Sequence, residues 1–353
     1  MEGSGKTMIR TKLTKRYGIE LPFVSAGMGF VATPPLAAAV SNAGGLGQLA
    51  TGAAPPENLR KLISSTRALT GRPFAVNFII ETTAFGPLAT HAHLRVCIEE
   101  RVPAVMFHWA PPPLEWVRML KEAACDEWLQ TSSIATAQAA VASGVDIIIA
   151  QGSEAGGHNR STTGLFTLLP RMVDAVNPTP VIAAGGIADG RGMAAALCLG
   201  AAGVSVGTRL VASIESNAHD EYKRRITEAT EEDIARTCIF GPEWPDAPMR
   251  VIRNRVVREW AGNDAQTPPQ PEPPQIIGKT MLGDREYLMP KFAAILPTPE
   301  TTGDFEEMCL AAGESAALVT TIGSAQSIVQ TIAKEAEQIL EQQWTTVASM
   351  HPM

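Results

Sequence analysis

Eight short apolar runs, each four to six residues long, recur along the chain: Phe23–Gly27, Leu46–Ala50, Phe74–Phe78, Ala104–His108, Trp128–Thr131, Ile147–Gly152, Val181–Gly186 and Gly203–Gly207. Apolar runs of this length bounded by turn residues read as strands, because a helix of a globular domain needs about ten residues or more. Their starts are spaced by roughly 20 to 35 residues, the length of one strand–helix unit. Helix-like stretches at Pro35–Ala43, Pro56–Ala68, Leu114–Ala124, Thr136–Ser143 and Gly190–Leu199 fill the gaps, each followed closely by glycine or another turn residue. Strict alternation of strand and helix requires a parallel sheet. Eight units favour its closure into a (β/α)8 TIM barrel over an open doubly wound sheet.

The rhythm breaks after the eighth run. Residues from Ser216 to about Asp304 hold a charged helical stretch and then the proline-rich TPPQPEPP from Thr267 to Pro274, which reads as an exposed loop rather than a recognition peptide. The expected organisation is a barrel from residues 1–215 and 305–353, with a smaller lid domain, 216–304, inserted after strand 8. An Ala/Val/Ile-rich helix from Ser324 to Gln343 would close the barrel. The 353 residues suit this division, since such barrels take about 250. With 45% hydrophobic and only 18% charged residues the chain has ample material for an aliphatic core, so disorder is excluded over most of its length.

A net charge of -7 argues against nucleic acid as a partner, because phosphate contacts need a basic face. Five cysteines without a CxxC pair suit reduced thiols and a cytoplasmic location, and no apolar run is long enough to span a membrane. The N-terminal sequence lacks the apolar core of a signal peptide. Gly3-Ser4-Gly5-Lys6-Thr7 looks like the end of a phosphate-binding P-loop, but the first glycine would precede Met1 and no strand comes before it. His91 and His93 read as a solvated loop pair, and no metal site is expected.

Barrels commonly bind phosphate beyond strands 7 and 8. Here strand 7 leads into Gly185-Gly186 and strand 8 into Gly207-Thr208, giving backbone N–H groups room to approach an anion and a hydroxyl to assist. Asn77, Gln130 and Gln151 end strands 3, 5 and 6, where polar side chains need partners. Three amides plus the flexible Gly27-Met28-Gly29 suit the polar edge of an isoalloxazine, and with the phosphate loops they point to FMN.

The most specific stretch is AQGSEAGGH, Ala150–His158. Together with SAGMGFV near the N-terminus, PFAVNF at strand 3 and AAGGIADGRG at strand 7, it resembles the nitronate monooxygenase (2-nitropropane dioxygenase) family, most strongly from Gly144 to Arg209. The resemblance implies FMN at the C-terminal mouth of a barrel, held by Met28, Asn77, Gln130, Gln151, Gly156, Gly157, Gly185, Gly186 and the loop Ser205, Val206, Gly207, Thr208. His158 is the implied catalytic base. The implied reaction oxidises an alkyl nitronate with dioxygen to a carbonyl compound and nitrite. A histidine suits this task, since it removes a carbon-bound proton near neutral pH.

Three features depart from the family pattern: Gly27 where many relatives have proline, Asn159-Arg160 after the histidine, and Leu310–Glu314 where several nitronate-oxidising members carry tyrosine and glutamine. They imply a remodelled substrate wall, for which Tyr287, Lys291 and Phe292 are the candidates. NAD(P)H-dependent quinone reduction and enoyl-thioester reduction on the same flavin barrel are the alternative activities. A purine-nucleotide dehydrogenase is disfavoured because no cysteine ends a barrel strand, and a non-catalytic scaffold because it would gain nothing from a base beside the cofactor. The expected partners are a small organic substrate and dioxygen, with assembly into a homo-oligomer left open.

Overall fold

The computed structural model describes residues 9–52, 54–83, 86–242 and 244–350; the Gly3–Thr7 segment lies outside them. Eight parallel strands form one sheet: β1 (Phe23–Ser25), β2 (Gly47–Ala50), β3 (Phe74–Ile79), β4 (Ala104–His108), β5 (Asp126–Thr131), β6 (Ile147–Gln151), β7 (Val181–Ala184) and β8 (Gly203–Val206). Each pairs with the next, β8 pairs with β1, and β1 meets β2 through a parallel bridge between Val24 and Leu46. The circle is closed there by Leu46 N–H donating to the Phe23 carbonyl at 2.8 Å.

Because side chains alternate across a strand, each run supplies two cores. Val24, Leu46, Ala75, Met106, Trp128, Ile149 and Ile182 fill the barrel interior. Their sequence neighbours Phe23, Val76, Phe107, Leu129, Ile148 and Ala183, with Leu49 on β2, pack outward against the helices. Those helices are α1 (Pro34–Asn42), α2 (Pro56–Leu69), α3 (His91–Glu99), α4 (Leu114–Glu122), α5 (Ile134–Ser143), α6 (Leu165–Val176) and α7 (Gly190–Cys198). The helix Lys12–Tyr17 adds Leu13 to the interior core. There the Tyr17 hydroxyl donates to Asp126 at 2.5 Å and accepts from Trp128 Nε1 at 2.7 Å, while Arg16 spans Asp126 and Asp146.

α3 and α6 were not among the expected helices. His91 and His93 start α3 rather than sitting in a solvated loop, and the His93 ring is buried between Thr90 Oγ1 (2.8 Å) and the Ala54 carbonyl (3.0 Å). After β8 the chain forms the helix Asp220–Glu228, an antiparallel pair β9 (Ile234–Thr237) and β10 (Met249–Ile252), and a hairpin of β11 (Ile276–Leu282) and β12 (Arg285–Pro290). The sequence reading foresaw the charged helix but none of these strands. Leu310 and Ala311 bond to β10, so the segment at the mouth continues past Asp304.

The long helix α8 (Ala325–Met350) then returns to pack on α7 and α1. Its contact with α7 depends on Gly190, whose N–H donates to Glu335 Oε2 at 3.0 Å. A Cβ at Gly190 would lie 2.2 Å from the Glu335 Cβ and 2.5 Å from the Ala336 nitrogen. Alanine is the better helix former by about 1 kcal/mol, but the atoms it would strike are the Glu335 Cβ and the α8 backbone, neither of which can swing aside. Gly190→Ala is therefore expected to lower the unfolding free energy by about 1–3 kcal/mol, the cost of overpacking. Urea denaturation checks this, and an unchanged midpoint would show that α8 yields freely.

Candidate active site

The period-2 alternation that fills the barrel interior also decides what its open end presents. Two residues beyond Ala75, Met106, Trp128 and Ile149 stand Asn77, His108, Gln130 and Gln151, and Ser205 occupies the same layer on β8. His108, Gln130, Gln151 and Ser205 line a cavity of about 220 Å³ at the C-terminal ends of the strands. Asn77 lies just beside it, packed so tightly on Gly27 that a Cβ there would come within 2.3 Å of the Asn77 Cγ. A proline at position 27 would require Asn77 to move. Gln48 Oε1 and Ser205 Oγ are buried without a hydrogen-bond partner, which buried polar atoms rarely are.

Gly185 (φ 107°) and Gly186 (φ 72°) turn the chain after β7 through conformations that other residues avoid. With Gly207 and Thr208 after β8, and with Met28, Gly156 and Gly157, they border the same cavity. Gly156 also has a packing role, since a Cβ there would approach the Gly313 nitrogen to 2.5 Å. Thr208 Oγ1 accepts the Gly313 N–H at 2.9 Å, leaving its hydroxyl proton to donate elsewhere. Val206 turns its side chain out to the helix layer and offers only backbone.

The loop after β6 is held from several sides. Glu154 accepts the Leu165 N–H at 2.8 Å and so caps α6, while Arg250 donates twice to the Ser153 carbonyl, at 3.0 and 2.7 Å. Asn159 donates to the carbonyls of Gly152 (2.9 Å) and Ala155 (3.2 Å) and accepts from Ser161 N–H at 2.8 Å. The departure at Asn159 is thus a brace for the loop. Gly157 and His158 pair antiparallel with Arg250 and Met249, adding a third strand to the β9–β10 sheet.

This pairing sets His158 at the cavity edge, between Trp109 and Trp244. Each pair among the three rings has centroids 5.2 Å apart and planes at 84–85°. Nε2 of His158 is buried without a hydrogen-bond partner among the described residues and is sheltered beside Gly241. Burial, then the positive charge of Arg160, pushes the His158 ring down to about 4. His108 is pushed down to about 3 by burial, with His158 and Arg160 adding to the effect. Both imidazoles are therefore neutral at physiological pH.

Tyr287, Lys291 and Phe292 do not line the cavity. Tyr287 packs with Ile277, Met289 and Met308, Lys291 pairs with Glu307 at 3.0 Å, and Phe292 is buried edge-on to Trp260. The wall is instead formed by Tyr222, Trp244, Met249, Ala294, Leu296 and Ala311. His108 and Trp109 also escaped the sequence reading. His108 carries the same signal as Asn77, a polar residue ending a strand in interior register. Trp244 carries none, because its loop has no periodicity.

The family model described as nitronate monooxygenase matches residues 10–335. The chain belongs to the nitronate monooxygenase family. It is accordingly an oxidoreductase. The nitronate monooxygenase of Paraburkholderia phytofirmans is 32% identical over 366 residues, covering 92% of this chain and 94% of that one. A Mycobacterium tuberculosis enzyme, (3aS,4S,5R,7aS)-5-hydroxy-7a-methyl-1-oxo-octahydro-1H-indene-4-carboxyl-CoA dehydrogenase, is 39% identical over 254 residues, 71% of this chain and 68% of its own. The nitroalkane oxidase structure from Streptomyces ansochromogenes superposes with a TM-score of 0.76 at 29% identity, over 94% of this chain and 99% of the other. Among the described residues no helix is long and apolar enough to cross a membrane.

The two depressed histidines make stability depend on pH. Unfolded, each ring would take up a proton near pH 6.5; folded, His158 resists until about 4 and His108 until about 3. Between those limits the unfolded chain binds more protons, so stability is lost as pH falls below about 6.5. Urea midpoints measured at pH 7 and pH 5 should drop in the wild type, and drop by less in His108→Asn. Equal drops would mean that His108 is protonated in the folded state.

Proposed function

We propose that this family member is an FMN-dependent enzyme that oxidises alkyl nitronates with dioxygen to a carbonyl compound and nitrite, with His158 as its base and residues 216–304 as its lid. The observation that carries the reading is the neutral, unpartnered imidazole of His158 at the edge of a cavity floored by amides and glycine loops. The floor fits a flavin. Gln130, Gln151 and Asn77 would hold the ring edge, the unpartnered Ser205 Oγ is a free polar contact, and Gly185, Gly186 and Gly207 leave the backbone open to one phosphate. FMN bound there would supply the electron acceptor that nitronate oxidation needs.

The chain's own residues supply the rest. His158, neutral above about pH 4, takes the α-proton of a nitroalkane and as imidazolium steadies the anion formed. Trp109, Trp244 and Leu296 border the site with apolar surface that keeps water from the reacting carbon. A second reading, redox chemistry on a CoA thioester, is supported by the 39% identity to the mycobacterial dehydrogenase, and the same base would serve its α-proton.

The purified protein is expected to be yellow and to release FMN rather than FAD on denaturation. Gly186→Val, forced into a left-handed conformation at φ 72°, should lose that flavin. Full occupancy in the variant, or recovery of FAD, would contradict the phosphate placement.

His158→Asn should lower nitroalkane turnover by about 10²- to 10⁴-fold, the usual contribution of a general base. Oxidation of a preformed nitronate, which has already lost its proton, should fall less. Wild-type activity should be level from pH 6 to 8, since the base is already neutral there. Activity only with NADH and quinone, or only on a CoA thioester, would replace the nitronate reading while leaving the flavin site standing.

A further inference from the structure

A catalytic histidine is usually oriented by a hydrogen bond from its second ring nitrogen to a carboxylate or carbonyl. His158 has no such bond at its sheltered nitrogen: among the described residues no acceptor or donor reaches Nε2. What surrounds it is two indoles set at right angles to it and to each other. We propose that Trp109 and Trp244 are the positioning residues of His158, fixing its ring by packing where other sites use a hydrogen-bonded partner.

The inference rests on the proposed role of His158 and adds to it a device for holding that ring. Trp109 follows β4 directly and sits at φ 80°, a conformation bulky residues avoid, so its surroundings must hold it there. Arg160, two residues beyond His158, lies 4.9 Å over the Trp109 ring and presses it from outside. Trp244 comes from the inserted segment, in a turn closed by its own N–H on the Gly241 carbonyl at 2.8 Å. The Gly241 N–H in turn donates to the Phe292 carbonyl at 2.9 Å, and Phe292 is buried against Trp260. Gly241, at φ 88°, lies against the ring: a Cβ there would stand in van der Waals contact with Nε2 at 3.4 Å.

Edge-to-face contacts of this kind favour one ring orientation over its alternatives by roughly ten- to a hundredfold for two contacts together. The same box keeps the imidazole neutral, since it offers its cation no acceptor. Among the described residues, the charged or titratable groups coupled to His158 are His108 from the end of β4 and Arg160 from its own loop, and Arg160 in turn pairs with Glu81 at 3.9 Å. Met249, its cross-strand neighbour, and Gly241, beside Nε2, contribute no charge.

The test is a titration of His158 by NMR in the flavin-loaded, histidine-labelled protein, with the resonance assigned through His158→Asn. Wild type should stay neutral to near pH 4. In Trp244→Ala the midpoint should rise by more than one pH unit toward the ordinary value of about 6.5. Turnover number on a neutral nitroalkane should fall about 10²-fold, the usual cost of a misplaced catalytic group, with little change in KM. Trp244→Phe, which keeps a ring, should restore most of both. If Trp244→Ala does not fold by circular dichroism, Trp244→Leu and Trp109→Phe carry the same comparison.

A midpoint unmoved by any of these replacements overturns the proposal. So does a Phe variant as impaired as Ala, which would place the effect in the indole N–H rather than the ring. Should the midpoints move as expected while no nitro compound is turned over, the positioning stands and the nitronate reading falls.

Discussion

Two residue pairs, Gly157 with Arg250 and His158 with Met249, join the barrel to the segment that follows it. The Asn159 N–H on the Pro248 carbonyl and Arg250 on the Ser153 carbonyl reinforce the same junction. Through the two pairs the loop after β6 becomes the third strand of the β9–β10 sheet, and strand alternation places His158 and Met249 on the cavity side. Arg250 takes the opposite face, where it ties the Ser153 carbonyl and Glu314. One short antiparallel contact thus places His158, helps to anchor the loop that carries it and brings Trp244 within reach.

The electrostatics of the site follow from what is missing around that contact. A buried imidazole beside a carboxylate gains charge; one beside an arginine and a second imidazole loses it. Here every neighbouring ionisable group is a cation or could become one. The folded protein therefore keeps two neutral rings at the cost of some stability in acid, a sacrifice common at sites built for proton transfer.

The barrel was legible because its signals are local. β4 falls on the expected residues, Ala104–His108, and the other seven strands differ by a few residues at their ends. Gln130, Gln151 and the glycine loops were visible because polar residues and glycines at strand ends stand out against an apolar background. The wall was not legible, for two reasons. Ala294, Leu296 and Ala311 reach the cavity from the irregular stretch that follows β12, which leaves no periodic trace. Phe292, chosen as a wall residue, is instead a core residue of the inserted segment, and from sequence alone an aromatic near a binding site looks the same as one packed behind it. Asn159 looked like a deviation in the reactive loop and proves to be its brace.

The last regular element of the barrel lies beyond the whole inserted segment in the chain. α8 covers α7 and α1, and its Ala325, Ile328, Val329 and Ile332 complete the same apolar cluster as Leu36 and Met193. On the ribosome, strands 1 to 8 and the whole inserted segment emerge before this helix does. Until then a greasy seam between the first and last barrel units stays open to solvent. Contacts so distant in sequence form slowly, and exposed seams invite aggregation. Sealing that seam therefore waits for α8. A chain cut short before Ala325 would be an adhesive intermediate for the cell's chaperones and proteases, and never a smaller enzyme.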